Sequence, residues 1–391
     1  MILHNCKIYT FHKIIENGWI KILDNKIAEI HEGKYKSASH QNNVIDLEGN
    51  LLIPGFIEVH TNGSFGYDLT DNDLKALPVM MKNLPKDGVT SCLVTIVTSD
   101  DAKIKSILKK SLNFFNNQDI NDGQTFFNGI YLEGPYINPI TKGAHEEKLI
   151  RPFSESEILE YQKISNNLIK ILGVATEYLS PKDLEFLKSN NIIATVAHSN
   201  DTAQHVLELA KTGNLTLATH LFNGMSPFHH RHPGVVNGCL SSDNIITEII
   251  TDGFHVNPLV LELTYKIKGK EKICVITDAT KGNGSPDGDY TLGNLKTYKK
   301  NGAMYLASNP EVLAGSAASM IHCFKTGLKG FKCSIQDMIE MISYNPAKII
   351  QMFDKTGSIE TGKWADLIVL DKDNLDILKT IVRGKIAYTN N

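Results

Sequence analysis

Five apolar runs of strand length end in a side chain that can bind a metal or move a proton: His60, Glu133, His198, His220 and Asp278. Imidazole and carboxylate ligands suit a divalent cation such as Zn²⁺, and three protein ligands leave a coordination position open. Such a cation makes water a strong nucleophile at neutral pH. A carboxylate beside it can take the proton of that water and return it to a leaving group. One strand-end histidine is ordinarily a hydrogen-bonded structural residue. Five such ends in one register are not explained by packing, so they point to a metal site.

These residues need elements that bring them to one place. Apolar runs recur at residues 56–60, 90–95, 129–133, 169–174, 192–198, 215–220, 245–251 and 272–278. Near-continuous apolar character suits strands buried on both faces. Helical patterns separate them. Ser180-Pro181 sets a capping residue before a first-turn proline, and Asp201-Thr202 opens a helix that Gly213 closes. Eight strands alternating with helices predict a (β/α)₈ TIM barrel over residues 53–350, whose strand ends converge on one face. Residues 1–52 and 351–391 are strand-rich instead. Trp19-Ile20-Lys21-Ile22-Leu23 and Lys26-Ile27-Ala28-Glu29-Ile30 flank a hairpin turn at Asp24-Asn25, and Gly384 punctuates strand-like segments near the C-terminus. The two ends are expected to build one small β-sandwich.

Composition narrows the function. Of 391 residues, 42% are hydrophobic and 21% charged, enough for a large core. A net charge of −3 argues against nucleic acid as a partner, because phosphate binding needs a basic surface. No apolar run approaches the ~18 residues of a membrane span, and the N-terminus carries no secretory pattern. The six cysteines are scattered without a Cys-x-x-Cys pair, which suggests reduced thiols and a cytoplasmic enzyme.

The segment Leu52-Ile53-Pro54-Gly55-Phe56-Ile57-Glu58-Val59-His60 resembles the first-strand signature of the amidohydrolase superfamily, and Gly362-Lys363-Trp364-Ala365-Asp366-Leu367 resembles its C-terminal ending. Within it the chain is similar to the N-acetylglucosamine-6-phosphate deacetylases. The matching segments are Leu132-Glu133-Gly134-Pro135-Tyr136-Ile137-Asn138, Lys142-Gly143-Ala144-His145, Ala197-His198-Ser199-Asn200, Thr219-His220-Leu221-Phe222-Asn223-Gly224-Met225, Asp252-Gly253-Phe254-His255 and Thr277-Asp278-Ala279-Thr280. The resemblance implies removal of acetyl from a phosphorylated amino sugar by one divalent metal per subunit, Zn²⁺ first, with Fe²⁺, Co²⁺ or Mn²⁺ accepted by the same ligands. It implies Glu133, His198 and His220 as ligands, Asp278 as general base and His145 as the group polarising the amide carbonyl. Ala144, Asn223, Gly224, Arg231 and His255 become substrate contacts, with Arg231 reaching across a homodimer interface.

Two departures stand out. Many amidohydrolases carry His-x-His after strand one, where this chain has His60-Thr61-Asn62, and the lysine common after strand four is absent from Gly173-Val174-Ala175-Thr176-Glu177. His60 and Asn62 are therefore expected to line the site or hold a weak second ion. Gly224 stands where many relatives have alanine, an exchange expected to be tolerated. His4, His12, His31, His40, His205 and His322 show no ligand pattern. The alternatives are another amidohydrolase, such as a cyclic-amide hydrolase or deaminase, and a non-catalytic barrel.

Overall fold

Barrel strands one to eight are Phe56–Glu58, Val89–Val97, Phe126–Glu133, Ile169–Val174, Ile193–Val196, Leu215–Ala218, Ile246–Ile250 and Ile273–Ile276, all parallel and paired in chain order. They come from a computed structural model that describes residues 1–36, 43–71, 73–119 and 122–390, so His40 and the last residue of the 351–391 segment lie outside it. Every residue of strand two is buried, as expected for a strand covered on both faces. Inward side chains including Ile57, Leu93, Tyr131, Ile171, Leu217 and Ile276 fill the barrel. The predicted caps are present. Ser180 and Asp183 form a reciprocal capping box on helix Pro181–Ser189, and the Thr202 hydroxyl accepts from His205 N ahead of helix Ala203–Lys211.

The seam between strands eight and one closes beyond the ends of both ladders. Asp278 N donates to His60 O at 3.0 Å, and Asn62 N donates to Ala279 O at 2.7 Å. Beneath these bonds the buried Glu58 carboxylate bridges the same seam. It accepts from His60 N at 2.8 Å, Thr277 N at 3.0 Å and the Thr277 hydroxyl at 2.5 Å. Burial pushes its carboxyl up to about 7 even against these three donors.

Both termini join one mixed sheet of eight strands. Its hairpin turns at Asp24-Asn25, with φ of 47° and 66°, the left-handed pair a two-residue hairpin requires. The expected sandwich is continuous in hydrogen bonding, because Leu51–Pro54 pairs with Ile2–Tyr9 on one edge and Leu367–Leu370 on the other. A separate apolar cluster, including Leu3, Ile20, Leu52, Leu367 and Ile381, fills this sheet.

A further sheet was not expected. Gly288–Leu292, Leu295–Lys300, Ala303–Leu306 and Asn309–Ser316 form an antiparallel meander after strand eight. Its turns at Gly293-Asn294 and Asn301-Gly302 are two-residue hairpin signals legible in the sequence. Ser316 fastens it to the barrel mouth, donating from N to Asp278 O at 2.8 Å and from Oγ to Thr277 O at 2.6 Å.

Glu58→Gln places an amide NH₂ against a buried donor at the seam. It should cost about 1–3 kcal/mol, the penalty of one unsatisfied buried group. A fall in denaturation midpoint at unchanged m-value checks this, and an unchanged midpoint contradicts it.

Candidate active site

The strand-end side chains sit just past their strands rather than in them. Strands five, six and eight stop at Val196, Ala218 and Ile276, and His198, His220 and Asp278 each lie two residues further on. Their φ values are 44°, 27° and 49°. A left-handed residue breaks the ladder and turns its side chain into the barrel mouth, which the expected longer strands missed. Outside glycine this conformation costs about 1–3 kcal/mol and persists where surrounding contacts enforce it. His60 likewise follows Glu58 by two, whereas Glu133 is the last residue of strand three.

Glu133 is the focus. Its Oε1 lies 3.1 Å from His198 Nε2 and 2.9 Å from His220 Nε2. Its Oε2 lies 3.5 Å from His60 Nε2 and 3.8 Å from His145 Nε2. Burial pushes the Glu133 carboxyl up, but the imidazoles of His60, His145, His198 and His220 outweigh burial and hold it well below the usual range. His198 is oriented as a ligand would be. Its Nδ1 lies 2.8 Å from Thr141 O, a carbonyl that can only accept, so Nδ1 carries the proton. Burial, then the neighbouring His145, push its ring down to about 4, and its Nε2 faces a Glu133 oxygen. A carboxylate oxygen and a ring nitrogen this close are placed as two ligands of one cation would be. Glu133, His198 and His220, all buried, are the group among the described residues that could hold a metal ion, and imidazole with carboxylate is a donor set that suits a divalent cation.

Around this focus lie the other expected residues. Asn62 Nδ2 donates to Asp278 Oδ1 at 2.6 Å. Burial, together with Glu133, raises the Asp278 carboxyl, against His60, His220 and His255. His145 Nδ1 meets the Thr98 hydroxyl at 2.8 Å. His60 is fully buried, its Nδ1 held by Glu248 at 3.0 Å and its Nε2 3.5 Å from both Glu133 Oε2 and Asp278 Oδ1, without a hydrogen bond to either. A cavity of about 260 Å³ opens over the cluster, lined by Asn62, Ala144, His145, Asn223, Gly224, His255 and Asp278. Arg231 does not line it. It is exposed, with its guanidinium 3.0 Å from His230 Nε2, so this chain's own Arg231 does not meet its own site. Leu292, Glu311, Val312 and Leu313 of the inserted sheet also line the cavity, and sequence reasoning missed them with the sheet. His322, read as non-functional, donates to or accepts from nothing in the cavity. Its Nε2 lies 3.0 Å from Asp252 O, and Asp252 holds His255 Nδ1 at 2.7 Å.

The amidohydrolase family pattern matches residues 51–387. The chain belongs to the amidohydrolase family. It is 32% identical to N-acetylglucosamine-6-phosphate deacetylase of Bacillus subtilis, over 99% of this chain and 97% of that one. It is 30% identical to N-acetylgalactosamine-6-phosphate deacetylase of Escherichia coli O157:H7, covering 96% and 97%. The crystal structure of N-acetylglucosamine-6-phosphate deacetylase from Pasteurella multocida superposes with a TM-score of 0.91 at 31% identity, covering 100% of this chain and 99% of that one.

This amidohydrolase differs from the expectation at Gly224. Its φ is +59°, and a Cβ there would lie 2.4 Å from His198 Nδ1 and 3.0 Å from Thr141 O. Glycine is what lets this loop close against the histidine, so alanine is not a neutral exchange in this backbone. Gly224→Ala should disturb the His198–Thr141 bond and weaken metal retention about tenfold or more. Elemental analysis after dialysis against a chelator checks this, with parent-like retention as the contrary result.

Proposed function

We propose that this amidohydrolase removes the acetyl group of N-acetyl-D-glucosamine 6-phosphate, giving D-glucosamine 6-phosphate and acetate. The observation that carries the proposal is the convergence of the His198 and His220 Nε2 atoms on one Glu133 oxygen beneath a cavity lined by Asp278 and His145. The deacetylases to which the chain is similar along nearly its full length support the substrate class. A cyclic-amide hydrolase or a scaffold has no such support.

Glu133, His198 and His220 hold one divalent cation per chain, Zn²⁺ first by ligand chemistry. Such a cation supplies Lewis acidity, making water more acidic and the amide carbonyl more electrophilic. Water adds to the carbonyl carbon and gives its proton to Asp278, whose raised carboxyl suits a base that must later act as an acid. Asn62 steadies Asp278 Oδ1. His145, held at Nδ1 by Thr98, turns Nε2 toward the charge growing on the carbonyl oxygen. The C–N bond breaks as Asp278 returns the proton to nitrogen. Gly224 offers its backbone amide to the phosphate, whereas the expected Asn223 amide is committed to His220 O at 3.0 Å, and His255, braced by Asp252, meets the sugar. His60 and Asn62 line the site.

The outward Arg231 supports a role in trans, in which it meets the phosphate in a partner's cavity. Exposed apolar side chains on the loops after strands six and seven and on the following helix suit a second copy. Phe228 follows strand six, Phe254 follows strand seven, and Leu259, Leu263 and Ile267 form an exposed stripe on helix Pro258–Lys268. No described helix is long and apolar enough to cross a membrane.

Acetate release should be far faster from the 6-phosphate than from unphosphorylated N-acetylglucosamine. Arg231→Ala should lower kcat/KM for the phosphorylated substrate alone by about 10–150-fold, from one charged hydrogen bond. Equal loss on both substrates assigns Arg231 a structural role, and equal parent rates on both argue against the phosphate reading. N-acetylgalactosamine 6-phosphate, assayed alongside, tests the other hexosamine.

Asp278→Asn should keep close to one metal per chain and lower the rate by roughly 10²–10⁴-fold. Mixed with Arg231→Ala chains under demonstrated subunit exchange, it should regain activity, since one site in each mixed dimer has both intact groups. Activity no higher than either parent variant contradicts the in-trans role, and near-normal turnover by Asp278→Asn contradicts its role as base.

A further inference from the structure

Three motif residues remain without a role in the chemistry: Asn138, Ser199 and Asn200, which flank the ligands Glu133 and His198 in the sequence. All three converge on one carboxylate, Glu177, in the short turn Thr176–Tyr178 after strand four. Asn138 Nδ2 donates to Glu177 Oε1 at 2.7 Å and Asn200 N donates to the same oxygen at 2.8 Å. Ser199 Oγ donates to Oε2 at 2.6 Å. Glu177 itself does not line the cavity.

We propose that Glu177 is the positioning residue that holds His198 in its ligand geometry, and the inference rests on the metal assignment above. His198 has φ of 44°, so contacts on both sides must enforce its backbone. On its C-terminal side, Ser199 and Asn200 are both tied to Glu177. Opposite, Asn138 N donates to His198 O at 2.9 Å. Asn138 also shapes the turn that carries Thr141. Its Oδ1 accepts from Ile140 N at 2.7 Å and its backbone O accepts from Thr141 N at 3.2 Å. Thr141 O is the acceptor that fixes the proton on His198 Nδ1. The backbone, tautomer and direction of His198 therefore depend on Asn138, Ser199 and Asn200, which share one anchor. That anchor ties together the loops after strands three, four and five. Ser226 N donating to Ser199 O at 3.1 Å adds the loop after strand six. No lysine from strand four enters this site, and the carboxylate that strand four does provide acts one shell out, through hydrogen bonds.

The mechanism of action predicts how substitutions rank. Glutamine has one oxygen with two lone pairs and an NH₂ that can donate to the Ser199 hydroxyl, so it can satisfy all three partners. Alanine satisfies none. Zn²⁺ affinity of the full chain, measured by competition with a chromophoric chelator, should fall about 10–100-fold in Glu177→Ala. In Glu177→Gln it should recover to within about threefold of the parent, because the hydrogen-bond geometry is kept. Far-UV circular dichroism and apo-protein melting report whether each variant is folded. Parent-like affinity in folded Glu177→Ala overturns the proposal. Equal weakening by Gln and Ala also overturns it, since that marks a role for the charge. If Glu177→Ala does not fold, Ser199→Ala decides. A loss of about 2- to 10-fold, the effect of one hydrogen bond, supports the proposal, and parent affinity overturns it. A parent chain that binds no Zn²⁺ overturns the metal assignment and this inference together. A parent that binds Zn²⁺ but releases no acetate contradicts the substrate reading alone.

Discussion

A carboxylate buried among four imidazoles is costly unless its charge is compensated, and Glu133 is in that position at the end of strand three. His60, His145, His198 and His220 arrive from the ends of strands one, five and six and from the loop after strand three. Their ring nitrogens face its two carboxylate oxygens at 2.9–3.8 Å. The surrounding architecture keeps Glu133, His198 and His220 close enough together to hold a cation. The barrel closes, the loops tighten and glycines are used in ways that follow from this one constraint.

Closure is the first consequence. Strands one and eight are joined by backbone bonds at His60, Asn62, Asp278 and Ala279, and the first three of these place side chains in the candidate site. The seam and the site are therefore one structure. Glu58 beneath it supplies three acceptor contacts in place of a regular ladder. Below the metal ligands a second carboxylate, Glu248, holds His60 Nδ1. The buried acids thus form two tiers, one at the seam and one under the first-strand histidine, each paired to backbone or imidazole donors.

Close approach is the second. Gly224 and Gly143 both press toward the His198 ring, with ideal Cβ positions 2.4 Å and 3.2 Å from its nearest atoms. A side chain at Gly224 would hold this loop off the His198 ring. The same site reaches outward through the inserted sheet, whose strand Asn309–Ser316 is bonded to Asp278 O and lines the cavity with Glu311, Val312 and Leu313. Arg231, by contrast, is exposed and does not line this cavity.

The sequence alone pointed to the eight barrel strands, because short runs such as 273–276, Ile-Cys-Val-Ile, are apolar on both faces, as suits a doubly covered strand. It determined the hairpin at Asp24-Asn25 and the caps at Ser180 and Thr202, since these depend on bonds within a few residues. It also determined the chemical types at the strand ends. It carried the signals of the inserted sheet at Gly293-Asn294 and Asn301-Gly302, yet not where that sheet would lie. Only tertiary structure decided that His198, His220 and Asp278 leave their strands in the left-handed conformation, because φ at a non-glycine residue is chosen by contacts from other loops. Only tertiary structure gathered Asn138, Ser199 and Asn200, up to 62 residues apart (200 − 138), onto Glu177. Local pattern records which side chains can bond, and the fold decides which of them come within reach.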